Sequence, residues 1–442
     1  MTASPGAHAE LAERHRKVAP AWLGLYYDEP IELVSGEGCR VRDAEGNEYL
    51  DFFGGIVTTT SGHSVPEVVE AIREQAGRLL HCSTLYLIRP MVELAERLAR
   101  LSTIPDAKVF FVNSGTEANE AALLCCCAAR RSNQVLALRN SYHGRSFAAM
   151  AVTGNRAWSA SSLSPFQVSY VRCPDRVRDP LGSRSDAARI EACVADLVEV
   201  IETTTAGDVA CLIAEPIQGV GGFTVLPDGL LGAMKQVLDA YGILLVSDEV
   251  QTGWGRTGEH FWGFQAHDVV PDLLTVAKGL GNGVAIGGVV GRAAVIDALA
   301  AHSISTFGGN PLATRAALAN LDYLLAHDLQ ANAAEVGAFL RAQLERCRRD
   351  LPLVGDVRGK GLMIGVELVE PGTTTPAPAA ALGALEEARR RGLLVGRGGL
   401  HGNVLRLAPP LSLTLGEAAE GARILIASLE VVARQLVGEA RP

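Results

Sequence analysis

The chain has 442 residues, of which 48% are hydrophobic and 20% are charged, and its formal net charge at pH 7 is −9. This is the composition of a globular protein, and the length predicts two or three domains. An acidic chain without a basic run argues against nucleic acid or an anionic membrane surface as its main partner, and no apolar stretch reaches the ~20 residues that span a bilayer.

The cysteines and the amino-terminal residues bear on location. The first residues contain no apolar core segment, so they do not predict a secretory signal. The nine cysteines are scattered and do not form the paired C-x-x-C motifs of a zinc site. The run 125–127 is typical of small apolar side chains on a buried helix. We therefore expect a cytoplasmic protein with reduced thiols and no metal site.

Helical and strand patterns follow one another along the first three quarters of the chain. Residues 8–18 predict a helix, 38–53 predict a β-hairpin with its turn at 44–47, and two amphipathic helices follow. From about residue 105, short apolar runs alternate with helical patterns; these runs are KVFFVN, QVLALR, DVACLIAE, ILLVSDE, PDLLTVAK and AIGGVV. The alternation predicts an α/β fold whose large sheet is mostly parallel and covered by helices on both faces.

After about residue 310 the pattern changes to helices with short strands. A flexible loop is predicted at 371–381, a strand at NVLRLAPPL, and a closing amphipathic helix behind it. We therefore predict that residues 1–60 contribute to a small domain, that 61–310 form the large domain, and that 311–442 complete the small α+β domain.

Ligands of open α/β sheets bind outside the carboxyl ends of the strands, so polar residues directly after apolar runs are the candidates. Ser114, Gly115 and Thr116 follow VFFVN and begin a helix. The free N–H groups and the dipole of a helix N-terminus suit a phosphate. A helix cap is the alternative, because Ser114-x-x-Glu117 also matches a capping box.

Three more strand ends carry reactive or aromatic side chains. Asp248 follows ILLVS, Tyr142 and His143 follow QVLALRNS, and Lys278 follows LLTVA and precedes a glycine-rich loop. A lysine partly removed from water has a lowered pKa and becomes nucleophilic. Each residue also has a structural explanation: a surface turn for Asp248, a packing aromatic for Tyr142, and a structural lysine for Lys278.

Taken together, these features match the requirements of pyridoxal phosphate. Its phosphate needs a helix N-terminus, its ring needs a flat neighbour, its ring nitrogen needs a carboxylate, and its aldehyde needs a lysine. The sequence therefore predicts a pyridoxal phosphate site at the carboxyl edge of the sheet.

The motifs resemble those of the class III aminotransferases of fold type I. The resemblance runs from about residue 20 to the end of the chain and rests on FVNSGTEANEAAL, AEPIQG, SDEVQTGWGRTG, PDLLTVAKGLGNG and STFGGNPLA. It implies a large, mostly parallel-sheet α/β domain and a smaller α+β domain made from both chain ends. It also implies pyridoxal 5′-phosphate as the cofactor and a homodimer with its active sites at the interface.

The resemblance also implies roles for individual residues. Lys278 would form the Schiff base with the cofactor and then carry the substrate proton, and Asp248 would pair with the ring nitrogen. The other cofactor-binding residues would be Ser114, Gly115, Thr116, Tyr142, His143, Val250 and Gln251, with Thr306 reaching the phosphate in the neighbouring subunit.

The substrate side of the site would centre on a glutamate and an arginine. Arg406 in LRLAPPL would bind a substrate α-carboxylate through its guanidinium fork. Glu215 in the AEP motif would neutralise Arg406 when the substrate lacks that carboxylate; a permanent ion pair of the two residues is the alternative. Ile56 and Tyr86 would shape the donor pocket together with Tyr26.

FWGFQAHDVVPDLLTVAKGLGNG and RGLLVGRGG are especially similar to the mitochondrial-type alanine–glyoxylate aminotransferases. We therefore predict a ping-pong transfer of an amino group from an alanine-like or ω-amino donor to a 2-oxo acid such as glyoxylate or pyruvate. The alternatives are a lyase that releases ammonia, as in the related phospholyases, an aminomutase or decarboxylase on the same fold, and a cofactor-free binding protein. No G-x-G-x-x-G follows the first strand of a βαβ unit, so a nicotinamide cofactor is not expected.

Overall fold

A computed structural model describes residues 7–175, 177–178 and 185–439. The content of proline, aspartate, arginine and serine at 174–187 predicts a surface excursion, and this segment lies partly outside the described residues. The helices are Ala7–Val18, Pro66–Ala76, Arg89–Ser102, Gly115–Arg130, Phe147–Ala151, Asp186–Thr204, Leu230–Ala240, Ala293–Ile296, Pro311–Ala326, Leu329–Asp350, Pro378–Arg390 and Leu415–Glu439. Within the described ranges, none of the helices has the length and apolar character that crossing a membrane requires.

A seven-stranded sheet forms the centre of the molecule. Its strands lie in the spatial order Ala107–Val112, Gly287–Arg292, Leu273–Val276, Leu244–Asp248, Cys211–Ala214, Gln134–Leu138 and Gln167–Val171. Only the strand Gly287–Arg292 runs antiparallel to its neighbours. The mostly parallel sheet is thus confirmed, and the carboxyl ends of the other six strands open at one edge.

Alternate residues of the central strands face helices on opposite sides of the sheet. Val135 and Ala137 pack with the helix Gly115–Arg130, whereas Leu136 and Leu138 pack with side chains of the helices on the other face. All four side chains are buried. This double coverage explains why the strand reads as a continuous apolar run in the sequence.

Two smaller sheets bring distant parts of the chain together. In the first, the predicted hairpin of Arg40–Asp43 and Glu48–Asp51 is confirmed, and Leu393–Leu394 extends it. The second sheet has the strand order Val354–Lys360, Met363–Leu368, Val404–Leu407 and Gly396–Gly398. The division into domains at residues 60 and 310 stays a prediction.

The flexible loop expected at 371–381 is wrong in its second half, where the helix Pro378–Arg390 begins. Proline suits the first turn of a helix because its fixed φ is helical and its missing N–H has no partner there. Ala380, Ala381 and Ala384 are buried. The alanine-rich sequence is therefore the packed face of a helix.

Candidate active site

A cleft with a cavity volume of about 140 Å³ opens at the carboxyl edge of the large sheet. Ten residues predicted from the sequence line the cleft; they are Ser114, Gly115, Thr116, Tyr142, His143, Glu215, Asp248, Val250, Gln251 and Lys278. Asn119 and Gly144, which sequence reasoning missed, complete the lining.

The N-terminus of the helix Gly115–Arg130 forms one end of the cleft. Ser114 caps this helix, since its Oγ accepts a hydrogen bond from the Glu117 N–H at 3.2 Å. The Glu117 carboxylate in turn accepts the Asn113 N–H at 2.6 Å. The cap and a phosphate site are compatible, because first-turn N–H groups of a helix have no partner inside it and attract an anion.

A tight loop lies against this helix N-terminus. The Thr116 Oγ1 atom accepts the Arg145 N–H at 3.3 Å, and Gly144 has a φ of +134°. A Cβ atom on Gly144 would lie 2.6 Å from the Thr116 Oγ1 atom. Only glycine fits there, and the glycine directly after Tyr142-His143 was the sequence signal for this contact.

Asp248 lines the cleft, and three neighbouring groups hold its carboxylate. Its Oδ2 atom accepts a hydrogen bond from Asn119 Nδ2 at 2.8 Å and lies 2.8 Å from His143 Nδ1. Its Oδ1 atom accepts the Val250 N–H at 3.1 Å. The Thr275 hydroxyl donates to Asn119 Oδ1 at 2.7 Å and so fixes the orientation of the amide. This network holds the carboxylate in one position.

Two buried polar atoms in the cleft are available to bind a ligand. The Oε1 atom of Gln251 and the Nε2 atom of His143 are buried, and neither has a hydrogen-bond partner among the described residues. Such a group costs about 1–3 kcal/mol when it stays unpaired. A cofactor with a phosphate, a flat ring and a phenolic oxygen fits the helix N-terminus, the Asp248 carboxylate and the Gln251 amide, so the residues present fit pyridoxal phosphate.

Lys278 follows the strand Leu273–Val276 and points into the same cleft. Its Nζ atom donates a hydrogen bond to the Ile56 carbonyl at 3.2 Å. Burial, with the nearby Arg406 acting in the same direction and Asp248 and Glu215 against it, lowers the pKa of Lys278 from 10.5 to about 8. The neutral, nucleophilic form of the amine is therefore much more populated than in an exposed lysine.

The Ile56 carbonyl belongs to a strained turn. The four residues Gly54–Val57 all have φ between 56° and 67°, which is one turn of left-handed helix. This conformation costs roughly 1–2 kcal/mol for each residue that has a Cβ atom. The Asp51 carboxylate holds the turn by accepting the N–H groups of Phe53 and Gly54, each at 2.9 Å. Strain of this kind is concentrated at functional sites.

The direct ion pair expected between Glu215 and Arg406 is not formed. The Glu215 carboxylate accepts the backbone N–H groups of Tyr142 and Gly219, each at 2.9 Å. Arg406 donates to two backbone carbonyls, those of Gly219 at 3.3 Å and Arg397 at 3.2 Å. Both charged groups are buried, and each one is satisfied by peptide groups, which removes the need for a direct contact.

Burial changes the pKa values of both residues. It raises the pKa of Glu215 to about 7, with the nearby Asp248 acting in the same direction and His143 against it. It also lowers the pKa of Arg406. Glu215 is therefore partly protonated near neutral pH, which weakens its pull on any cation in the cleft.

The cleft of the single chain is not lined by five of the predicted residues, which are Tyr26, Ile56, Tyr86, Thr306 and Arg406. Thr306 and Tyr86 are exposed, Tyr86 at 70%, and the Ile56 side chain is 47% exposed although its carbonyl contacts Lys278. Tyr26 stacks on Phe53 with the ring centroids 5.6 Å apart. Roles for Thr306 and Tyr86 in this site therefore require a second subunit.

Comparison with known proteins identifies similar chains. The family model for class III aminotransferases matches residues 26–429. A mitochondrial alanine–glyoxylate aminotransferase 2 homologue of Arabidopsis thaliana is 41% identical over 418 residues, which cover 94% of this chain and 86% of that one. A leucine/methionine racemase of Thermococcus litoralis is 38% identical, with 95% of this chain and 96% of that one covered.

The solved structures include close matches to this fold. A thermostable (S)-enantioselective ω-transaminase from Thermomicrobium roseum matches with a TM-score of 0.88 and 35% sequence identity. The match covers 96% of this chain and 98% of that one. The fold expected from the sequence is therefore confirmed over nearly the whole length.

Proposed function

Because this chain belongs to the class III aminotransferase family, it is a pyridoxal-phosphate-dependent transaminase, and we propose that it moves an amino group from an alanine-like amino acid or an ω-amino donor to a 2-oxo acid such as glyoxylate or pyruvate. One observation carries the proposal. Lys278, the fixed Asp248 carboxylate and the N-terminus of the helix Gly115–Arg130 all meet in one cleft. Similarity to alanine–glyoxylate aminotransferases supports the choice of donor and acceptor.

The side chains around the cofactor have separate tasks. First-turn N–H groups of the helix, together with Ser114 and Thr116, bind the phosphate. Val250 and Tyr142 would lie on the two faces of the ring, and the Gln251 amide would pair with the phenolic oxygen. The Asp248 carboxylate would hold a proton on the ring nitrogen, and the His143 ring and the Asn119 amide hold this carboxylate in place.

Lys278 performs the proton transfer. When bound, pyridoxal phosphate supplies an electron sink for the carbanion that forms at the α-carbon of the donor. The Lys278 amine would hold the cofactor through its aldehyde carbon. In its neutral form the Nζ atom would accept the α-proton of the donor, a task that suits a lysine with a pKa of about 8.

We propose a homodimer with its two clefts at the interface. An exposed apolar surface, formed by Leu79, Leu80, Leu85, Tyr86, Leu87, Ile304 and Phe307, supports this proposal. Its two segments are in contact, since the rings of His81 and Phe307 lie 5.2 Å apart. Asn113 Nδ2 donates to Ser305 Oγ at 3.2 Å, so this surface adjoins the helix N-terminus. Thr306 and Tyr86 would reach the cleft of the partner from here.

We also propose a cytoplasmic location. No disulfide bond joins cysteines within the described part of the chain, which fits a reducing compartment. The Arabidopsis relative is named as a mitochondrial protein. Fractionation of the cells that make this chain, with immunodetection in each fraction, tests the proposal, and enrichment in an organelle contradicts it.

Product analysis tests the proposed reaction. The holoenzyme is incubated with L-alanine and glyoxylate, and we expect pyruvate and glycine in equal amounts. A lyase would release ammonia without an acceptor. A racemase, as in the Thermococcus relative, would form D-alanine without an acceptor. If ammonia or D-alanine forms and glycine does not, the proposed transfer is refuted and the chain is assigned the lyase or racemase activity instead.

A further inference from the structure

The resting position of Arg406 is unusual for a residue that is proposed to bind carboxylates. Its guanidinium is buried, it does not line the cleft, and it forms no ion pair with a described carboxylate. It donates hydrogen bonds to the backbone carbonyls of Gly219 and Arg397, and the Tyr26 hydroxyl is a further hydrogen-bond partner beside it. The side chain is thus held away from the cleft by neutral groups.

Two aromatic rings complete this position. The Arg406 guanidinium carbon lies 5.2 Å from the centroid of the Phe53 ring and 5.6 Å from that of Phe223. A cation over a ring face is attracted by the ring quadrupole, and the attraction is stronger away from water. The two rings therefore stabilise the charge of the guanidinium, which has no ion pair with Glu215.

Neighbouring residues fix the rings and leave room for the arginine. The Tyr26 ring stacks on Phe53 with 14° between the ring planes. A Cβ atom on Gly396 would lie 2.2 Å from the Phe53 ring, and one on Gly398 would lie 2.9 Å from Arg406 Nε. The glycines of the VGRGG motif thus allow both side chains to pack against this strand, a role that the cofactor chemistry does not require.

Departure of Arg406 leaves no carbonyl without a donor. The Gly219 carbonyl also accepts the Gly222 N–H at 3.2 Å, and the Arg397 carbonyl also accepts the Tyr26 hydroxyl at 3.3 Å. Glu215 keeps its two backbone N–H donors. An unpaired buried acceptor or charge would be costly, so this arrangement allows the arginine to leave at a low cost.

We propose that Phe53 and Phe223 form a resting site for Arg406 and so set the preference between donors with and without an α-carboxylate. Arg406 stays between the rings while an amine without a carboxylate reacts, and it leaves them for the carboxylate of an amino acid. This inference rests on the proposed role of Arg406 as the carboxylate-binding residue. Phe53 and Phe223 are then specificity-determining residues, because their rings, and not an ion pair with Glu215, hold Arg406 at rest.

Alanine and isopropylamine form a matched pair of donors, because a methyl group replaces the carboxylate. In Phe53→Leu the resting site loses one ring face. This loss should shift the equilibrium of Arg406 between the resting site and the cleft by about two- to five-fold toward the cleft. We expect kcat/KM for alanine relative to isopropylamine to rise about two- to five-fold. Binding of propionate, which is alanine without its amino group, should tighten by a similar factor in calorimetric titrations of the holoenzyme.

Three further variants separate the possible outcomes. Phe53→Tyr keeps the ring face and should match the wild type, and Phe53→Met is a second non-aromatic variant in case the leucine variant does not fold. Arg406→Gln should weaken propionate binding at least about tenfold. If it does not, Arg406 is not the carboxylate-binding residue and the proposed function is revised. If Arg406→Gln loses propionate while both non-aromatic variants behave like the wild type, the resting site itself is refuted.

Discussion

Two adjacent acids follow the apolar residues of the strand Leu244–Asp248, and the structure gives them different tasks. Asp248 faces the cleft. Glu249 is buried and accepts four hydrogen bonds, from the hydroxyls of Ser247 and Thr252 and from the N–H groups of Gly263 and Phe264. The second acid therefore holds the following loop in place. Residue type alone could not separate the two roles; the direction of each side chain did.

Lys278 offers a test of how burial acts on the reactive amine. Its pKa is lowered to about 8, so the folded chain binds fewer protons than the unfolded chain between about pH 8 and the ordinary value of 10.5. Stability consequently rises with pH across this window, and below it the charged amine is a net cost. We expect Lys278→Met to stabilise the cofactor-free protein by on the order of 1 kcal/mol at pH 7 and by nothing at pH 10.5.

Thermal unfolding of the cofactor-free protein at both pH values measures this effect. Lys235→Met is the control, because Lys235 is buried but paired with Asp239 and Asp272. We expect the control to lose stability at pH 7. A stabilised control, or a Lys278 variant that gains nothing at pH 7, would contradict the assigned cause.

Asn119 is one of the two lining residues that sequence reasoning missed. It lies in the quoted motif FVNSGTEANEAAL, in the second turn of the helix Gly115–Arg130, but the motif does not say which side chain it contacts, and only the fold brings it to Asp248. Asn119→Ala removes one donor from Asp248 and leaves the Thr275 hydroxyl unpaired. We expect the free energy of unfolding to fall by about 1–3 kcal/mol in urea titrations and the affinity for pyridoxal phosphate to fall about tenfold. Asn133→Ala, at an exposed asparagine, should change the free energy by less than about 0.5 kcal/mol.

At the scale of elements, the parallel strands were readable from the sequence because each is a continuous apolar run with a polar residue at its end. The left-handed turn Gly54–Val57 was not readable. Its last two residues are β-branched and favour extended structure. Contacts from Asp51 and from the second small sheet hold the turn, and such tertiary contacts leave no local pattern in the sequence.

Alanine substitutions in this turn test its strain. A Cβ atom on Gly54 would lie 3.0 Å from the Ala408 carbonyl oxygen, whereas one on Gly55 meets only Thr58 Cβ at 3.8 Å. Both glycines have φ near +57°, at 56° and 58°. We expect Gly55→Ala to cost about 1 kcal/mol and Gly54→Ala more than about 2 kcal/mol in urea unfolding. Gly24→Ala, with open space around it, should cost nothing. Equal losses of unfolding free energy at all three positions would refute the explanation by backbone strain.

At the scale of the whole molecule, the residues in and beside the cleft come from distant parts of the chain. Ile56 comes from the amino-terminal region, Lys278 from the large sheet, and Arg406 from a small sheet near the carboxyl end. The sequence predicted ten of the residues that line the cleft because their motifs are specific, and their roles stay predictions. It could not predict that Glu215 and Arg406 stay apart, because the peptide of Gly219 that satisfies both is placed by tertiary packing.

Substitutions on the exposed apolar surface test the proposed homodimer. Leu87 is 97% exposed and Phe307 is 60% exposed in the single chain. We expect Leu87→Asp with Phe307→Asp to shift the protein from dimer to monomer in sedimentation velocity and to weaken cofactor binding, because Thr306 would no longer reach the partner site. Leu382→Asp, on the helix Pro378–Arg390, should leave the dimer intact. A wild-type protein that sediments as a monomer would refute the proposal.

The absorbance of the cofactor-loaded protein gives the most direct test of the central claim, which is that Lys278 and Asp248 carry an amino-group transfer. The holoenzyme is mixed with L-alanine in the absence of any acceptor, and the visible band of the bound cofactor is followed with time. We predict that the band disappears, that one pyruvate forms per active site, and that glyoxylate restores the band. Lys278→Ala should bind the cofactor and show no such change. A Lys278→Ala protein that transfers the amino group at the wild-type rate would contradict the account.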